Sequence, residues 1–235
     1  MFHFSISGEK IFEISKFEVT NSFFLATLLT FFLISIFYFI FKKGKIIPGR
    51  LQNFLEWILE SLFNFLDSVT ASRERTKKIF PIAASLFLLI ICSNLIELIP
   101  GLGIFKILRS PSADLNFTLA LAIFSILYIN FLILREVGVF NYLKRFISKN
   151  PIFIFVGFLE FLSEITRIFS LSFRLYGNLL AGEALLIISS FLFAFFLPLP
   201  FLCLEILVGF IQAFIFSFLV VIFYSAYFKE HGERG

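Results

Sequence analysis

Four long runs of this 235-residue sequence contain no Asp, Glu, Lys or Arg. They are residues 19–41, 79–96, 115–134 and 206–228. Each comes close to the roughly 20 residues that an α-helix needs to cross a hydrocarbon layer about 30 Å thick. Hydrophobic residues make up 59% of the chain, against about 45–50% in soluble domains. The sequence therefore predicts an all-α integral membrane protein.

A fifth apolar segment, residues 151–197, differs from the other four because it carries charges. A continuous helix from Pro151 to Pro198 would be about 70 Å long, which is more than twice the bilayer thickness. It must therefore lie strongly tilted or break, and we expect a tilted helix because the charges follow a helical order. The charged residues in question are Glu160, Glu164, Arg167, Arg174 and Glu183.

The polar side chains of this segment fall mainly on one stripe of the predicted helix. On a wheel of 100° per residue, the stripe is about 120° wide and Glu183 stands opposite Arg174, at about 180°. A charge at bilayer depth costs at least about 2.5–3.5 kcal/mol, so such residues are usually paired or face a cavity, and are functional. The stripe comprises Glu160, Ser163, Glu164, Arg167, Ser170, Arg174 and Asn178.

Two of these charged groups also have a purely structural interpretation. Glu164 and Arg167 are three residues apart, so a structural ion pair is as plausible as a role in an ion path. Asp114, directly before the run that begins at Leu115, is expected to cap that helix.

The predicted topology is a single membrane domain, residues 21–235, after an N-terminal periplasmic segment of residues 1–20. Its membrane helices span about 21–41, 79–99, 114–134, 151–195 and 201–228. With the N-terminus outside and the C-terminus in the cytoplasm, 14 of the 20 Lys and Arg residues lie inside, as the positive-inside rule requires. The outside segments hold only Lys10, Lys16, Lys106 and Arg109.

Residues 51–71 have an apolar face and an acidic polar face, which predicts an amphipathic helix at the membrane interface. The acidic face could contact another subunit, or the helix could pack on its own chain. The sequence contains no phosphate-binding loop, no dinucleotide-binding motif, no HExxH and no cysteine cluster. We therefore expect no cofactor, metal or nucleic-acid partner, and a chain that provides a path rather than bond chemistry.

Four motifs carry a family resemblance. Residues 170–183 (SLSFRLYGNLLAGE), 94–101 (NLIELIPG), 111–119 (PSADLNFTL) and 205–216 (EILVGFIQAFIF) resemble, in the same order, recurrent segments of subunit a of F-type ATP synthase. The resemblance covers most of residues 20–228. It implies a stator subunit that passes protons through two offset half-channels to the carboxylates of a rotor ring. The implied partners are the rotor c-ring, the peripheral-stalk b subunits, the rest of the F1Fo ATP synthase and membrane lipid.

The resemblance also implies roles for individual residues. Arg174 matches the essential arginine, Asn178 its neighbouring amide, and Gln212 the glutamine of the last helix that faces the arginine. The positions of Glu183 and Glu205 match the periplasmic half-channel, where family members often have a histidine at one of the two. The position of Glu160 matches a cytoplasmic carboxylate. The implied location is the bacterial plasma membrane, or alternatively an energy-transducing organelle membrane.

The connection between the last two helices raises a question of register. If it is centred on Pro198 and Pro200, a strict antiparallel hairpin sets Glu205 level with about residue 193 rather than Glu183. Either the turn begins earlier, near Ser189, or the two helices cross at an angle.

A secondary transporter or permease subunit is the alternative function, with the polar stripe as its substrate site. The absence of internal repeats and of broken helix pairs argues against it.

Overall fold

The computed structural model describes residues 10–14, 17–42, 49–97, 110–138, 151–192 and 196–232. Within them, two short strands precede six α-helices. The strands are β1 (Lys10–Ile14) and β2 (Phe17–Thr20), and the helices are α1 (Asn21–Lys42), α2 (Arg50–Thr70), α3 (Arg73–Glu97), α4 (Leu115–Val137), α5 (Pro151–Leu192) and α6 (Pro198–Gly232).

The predicted all-α membrane architecture is confirmed. Five of the helices, α1 and α3 to α6, are long and apolar enough to cross a membrane. The antiparallel hairpin of β1 and β2 was not predicted, and it precedes the first of these helices. The helix α3 begins at Arg73, six residues before the predicted span. Charged turns of the helix therefore precede that span, and Pro81 lies inside the helix.

The core of the molecule lies where α3 and α6 pack side by side. Ser217 of α6 donates a buried hydrogen bond to the backbone carbonyl of Ala83 in α3. The rings of Phe87 and Phe210 meet edge to face, with centroids 6.1 Å apart. Helices α4 and α5 pack against each other and against α6, whereas α1 touches mainly α3 and the segment before α4.

The predicted amphipathic helix is present as α2, and its second half packs on its own chain. Leu62 and Leu66 are buried against the core, and Asp67 accepts a hydrogen bond of 2.8 Å from the Thr76 hydroxyl in α3. Near its start, Phe54 and Trp57 are exposed. Packing on the protein's own core thus accounts for the apolar face in the second half of α2, while a contact of its acidic face with another subunit stays a prediction.

The predicted cap of α4 is confirmed, since the Asp114 carboxylate accepts the backbone N–H of Asn116 at 3.0 Å. The cap follows a buried 3₁₀ turn, Pro111–Ala113. The Ser112 hydroxyl in this turn donates to the Ser93 hydroxyl at 2.8 Å, and Ser110 donates to the Ser93 carbonyl at 3.1 Å. These bonds attach the start of α4 to α3 inside the protein.

The fifth segment is a continuous helix of 42 residues, so the prediction of an unbroken helix holds. At 1.5 Å per residue α5 is about 63 Å long, and its tilt in the bilayer stays a prediction. It packs against α4 and α6, which brings its polar stripe beside two other helices.

The hydrogen bond between α6 and α3 can be tested with Ser217→Ala. Hydrogen bonds between membrane helices contribute on average about 0.6 kcal/mol and at most about 1.7 kcal/mol, so we expect a destabilisation of about 0.5–1.5 kcal/mol. Ser85→Ala is the matched control, because Ser85 is exposed and bonds only the Pro81 carbonyl of its own helix. The measurement is unfolding of the purified chain in mixed micelles with increasing SDS. Equal midpoints for the two variants would contradict the packing described.

Candidate functional site

The site is organised by the contact between α5 and α6. The side-chain amide of Asn178 donates to Gln212 Oε1 at 2.8 Å. Nearer the connection, Glu205 lies directly against the backbone of Gly182, since a Cβ at Gly182 would be 2.7 Å from Glu205 Oε1. Two contacts, about one helical turn apart on α5, therefore define the register of the pair.

This register corrects the assumption about the turn. Helix α5 continues past Ser189 to Leu192 and α6 begins at Pro198, so neither a turn centred on Pro198 and Pro200 nor one that begins near Ser189 is right. Because Pro198 lies in the first turn of α6, where a missing N–H costs nothing, the helix starts before the position that the prediction gave it. A strict antiparallel pair with these helix ends sets Glu205 level with about residue 185, whereas its carboxylate contacts Gly182, about one turn away. A crossing of the two helices at an angle, the other alternative, stays a prediction.

Glu205 is the most deeply buried carboxylate among the residues of α5 and α6 whose burial the structure describes. It is 8% exposed, and neither of its carboxylate oxygens has a hydrogen-bond partner in the described part of the chain. Glu183 on α5 is close enough for the two charges to interact. Two neighbouring carboxylates, one of them buried without a hydrogen-bond partner in the described ranges, form an arrangement suited to passing a proton from one group to the other.

A third helix holds α6 in place beside this carboxylate pair. The Asn94 amide of α3 donates to the backbone carbonyl of Gly209 at 3.1 Å, and both groups are buried. A Cβ at Gly209 would lie 3.1 Å from the Asn94 Cβ, so the small residue permits the close approach of α3 and α6. Sequence reasoning missed Asn94, although it begins one of the four motifs.

Arg174 lies on the stripe, toward the other end of α5. Its guanidinium donates to the Ser170 hydroxyl at 3.4 Å, and among the residues that the structure describes it forms no ion pair with a carboxylate. Arg174 is exposed and lines an open groove of about 240 Å³. The other residues of the groove are Ser163, Thr166, Arg167, Ser170, Leu171, Leu219 and Phe223.

The predicted alternative of an ion pair between Glu164 and Arg167 is wrong. Glu164 instead accepts a hydrogen bond of 3.3 Å from the Asn130 amide of α4. The Arg167 guanidinium lies 4.7 Å from the ring centroid of Phe223 in α6, a cation–π contact. Glu164 and Arg167 thus have partners on α4 and α6, respectively.

Glu160 lies one turn before Glu164 on α5 and is partly buried. The structure therefore does not bring all predicted residues together. One cluster holds Asn178, Glu183, Glu205 and Gln212, and the Arg174 groove lies beside it. Glu160 and Glu164 lie beyond the groove, toward the N-terminal end of α5.

The site contains the chemistry of proton transfer and of a fixed charge. No cluster of three or more His, Cys, Asp or Glu side chains suited to a metal occurs in the described ranges. Cys92 and Cys203 are free thiols in α3 and α6. What the helices bring together are carboxylates and amides with two arginines, Arg167 and Arg174, between them.

The fold and the site define the class of this protein. It is a multi-pass membrane protein with ionisable side chains arranged along the seam of two long helices.

Comparison with known proteins identifies the family. The family model described as ATP synthase A chain matches residues 22–225. The chain is 34% identical over 183 residues to ATP synthase subunit a of Campylobacter concisus, which covers 77% of this chain and 78% of that one. It is 35% identical over 196 residues to the subunit a of Desulfosudis oleivorans, with 82% and 80% covered. The subunit a of Geotalea daltonii is 36% identical over 193 residues, with 80% and 79% covered. The chain therefore belongs to the ATP synthase A chain family.

The register of α5 and α6 can be measured by disulfide cross-linking. With Cys92 and Cys203 replaced by Ser, the pair Asn178→Cys and Gln212→Cys should form a disulfide under mild oxidation, because their side chains touch. The control pair is Asn178→Cys with Val220→Cys, the partner that a hairpin centred on Pro198 and Pro200 would give. The readout is a mobility shift on non-reducing gels. Faster oxidation of the control pair would contradict the register.

Proposed function

We propose that this chain is the stator subunit of the proton channel of an F-type ATP synthase. Membership of the ATP synthase A chain family makes it a membrane component of the synthase and not its catalytic part. The proposal of a proton channel is carried by the order of polar groups along the contact between α5 and α6. Glu183 and Glu205 stand at one end, the amides of Asn178 and Gln212 follow, then Arg174 in its groove, and Glu164 stands beyond it.

Arg174 acts as a fixed cation that faces the rotor. A guanidinium stays protonated under cellular conditions, and Arg174 is exposed in a groove where no carboxylate of the described residues neutralises it. A rotor carboxylate that enters this groove is stabilised in its ionised form and releases its proton before it passes. The same positive charge opposes the direct passage of protons across the membrane.

The two ends of the seam serve as separate half-channels. Gly182 and Glu205 lie about 12 Å along α5 from Arg174, and Glu164 lies about 15 Å away in the other direction. Glu183 and Glu205 form the half-channel that opens outside, and Asn178 and Gln212 connect it to the groove. Because each path ends near Arg174, a proton crosses the membrane only by riding on the rotor between them.

The partners follow from this function. The rotor c-ring passes the Arg174 groove, and α5 residues beside the arginine, such as Phe169 and Phe173, are exposed where a ring of helices or lipid would cover them. The peripheral-stalk b subunits and the rest of the F1Fo complex hold the chain against rotation. We place the N-terminus outside and the C-terminus in the cytoplasm of a bacterial plasma membrane, on the positive-inside rule.

Replacement of Arg174 tests this function. Arg174→Ala removes the fixed cation and should abolish ATP-driven proton pumping by inverted membrane vesicles. Arg174→Lys should fail nearly as badly, since a desolvated lysine can release its proton. Arg135→Ala is the control, because Arg135 lies at the end of α4 beside Phe131, away from the seam, and it should pump normally. Immunoblotting confirms that each variant is assembled. Pumping near the wild-type rate by Arg174→Ala would refute the proposal.

A further inference from the structure

A small cavity lies on the side of Glu164 where α4, α5 and α6 meet. Its volume is about 30 Å³, and its polar lining consists of Asn130, Glu164, Arg167 and Tyr227. A water molecule needs about 10–15 Å³ of such space and two to four polar partners. The cavity therefore has both the size and the chemistry of a water site.

The cavity and the Arg174 groove are neighbours that share one wall. Arg167 and Phe223 line both of them, and the two side chains are held together by their cation–π contact. Arg167 thus presents its guanidinium between the groove, where a rotor carboxylate would release a proton, and the Glu164 carboxylate. Glu160, in contrast, lines neither space.

The hydrogen bond from Asn130 to Glu164 fixes the carboxylate at the cavity. Asn130 is anchored on α4 and partly buried, and its amide reaches Glu164 Oε2 at 3.3 Å. A donated amide bond satisfies one carboxylate oxygen, and the other remains able to take up a proton from water.

We propose that this cavity binds water and is the route by which protons leave the Arg174 groove toward the cytoplasm, with Glu164 as the acceptor. This inference rests on the proposed function and moves the exit from Glu160, the position that the family resemblance indicated, to Glu164. A proton released by the rotor carboxyl passes through water at the Arg167–Phe223 wall to Glu164. Glu164 then gives it to cytoplasmic water and returns to its ionised form.

The first experiment compares three conservative variants in inverted vesicles that contain the complete synthase. Glu164→Gln keeps the shape of the side chain and removes the proton acceptor. A positioned proton-transfer group usually contributes about 100-fold or more, so we expect the pumping rate to fall by at least about tenfold. Glu164→Asp should restore part of the rate. Glu160→Gln should retain most of it, and Glu60→Gln, on the exposed side of α2, is the control.

Asn130→Leu tests the positioning residue in the same assay. It keeps the number and branching of the side-chain heavy atoms but removes the amide donor, so we expect it to slow pumping less than Glu164→Gln does. In combination with Glu164→Gln it should cause little further loss, because both changes act on one step. Independent, multiplicative losses would show that Asn130 has only a structural role.

The second experiment measures water access directly and does not depend on activity. In a chain with Cys92→Ser and Cys203→Ser, Ala226→Cys places a thiol on the wall of the cavity. Silver ions are small enough to enter a water site. Added from the cytoplasmic side, they should block the later alkylation of this thiol by N-ethylmaleimide. Leu127→Cys, on the exposed apolar face of α4, is the control and should react slowly.

The outcomes separate this inference from the function on which it rests. If Arg174→Ala abolishes pumping but Glu160→Gln loses more than Glu164→Gln, the exit proposed here is wrong and the stator function stands. The inference is also overturned if Ala226→Cys is as inert to silver as Leu127→Cys. If Arg174→Ala pumps normally, the function itself fails.

Discussion

The contact between α5 and α6 decides where the rest of the site lies. A Cβ at position 182 would come within 2.7 Å of Glu205 Oε1, so Gly182 leaves room for the carboxylate where the two helices meet. Along the same contact, Asn178 meets Gln212 and Phe223 of α6 meets Arg167. The packing of these two helices thus aligns acids, amides and arginines over about 30 Å of α5.

Polar and charged groups at membrane depth cost free energy, and the structure shows how this cost is limited. Most of the polar groups have a partner on a neighbouring helix, such as Asn94 on Gly209 and Asn130 on Glu164. Two charged groups of the site differ in the described part of the chain: the Glu205 carboxylate is buried without a hydrogen bond, and the Arg174 guanidinium bonds only Ser170 of its own helix. These two groups lie where proton exchange and a bare positive charge are useful for the proposed mechanism, which agrees with the general cost of charge at bilayer depth.

The sequence predicted those features that depend on local pattern. The lengths of the apolar runs predict the five long helices, and the position of Asp114 before α4 predicts its cap. Arg174 is singled out by its isolation in an apolar segment, which is a property of the sequence alone. The register of α5 and α6 could not be derived this way, because the helical start at Pro198 shifts every pairing after it. Asn94, Asn130 and Phe223 were missed for a related reason. They lie on other helices, and their relation to α5 arises only from packing.

The central claim is that Arg174 stands between two separate aqueous paths that open on opposite sides of the membrane. Two-sided thiol labelling tests it directly, in a chain with Cys92→Ser and Cys203→Ser. Ser163→Cys, which lines the Arg174 groove, and Ala184→Cys, next to Glu183, report on the two paths. An impermeant aqueous thiol reagent is added to vesicles of either orientation. We predict that Ser163→Cys reacts from the cytoplasmic side and Ala184→Cys from the outside. Equal labelling of both cysteines from one side would contradict it, since this would indicate a single continuous pore.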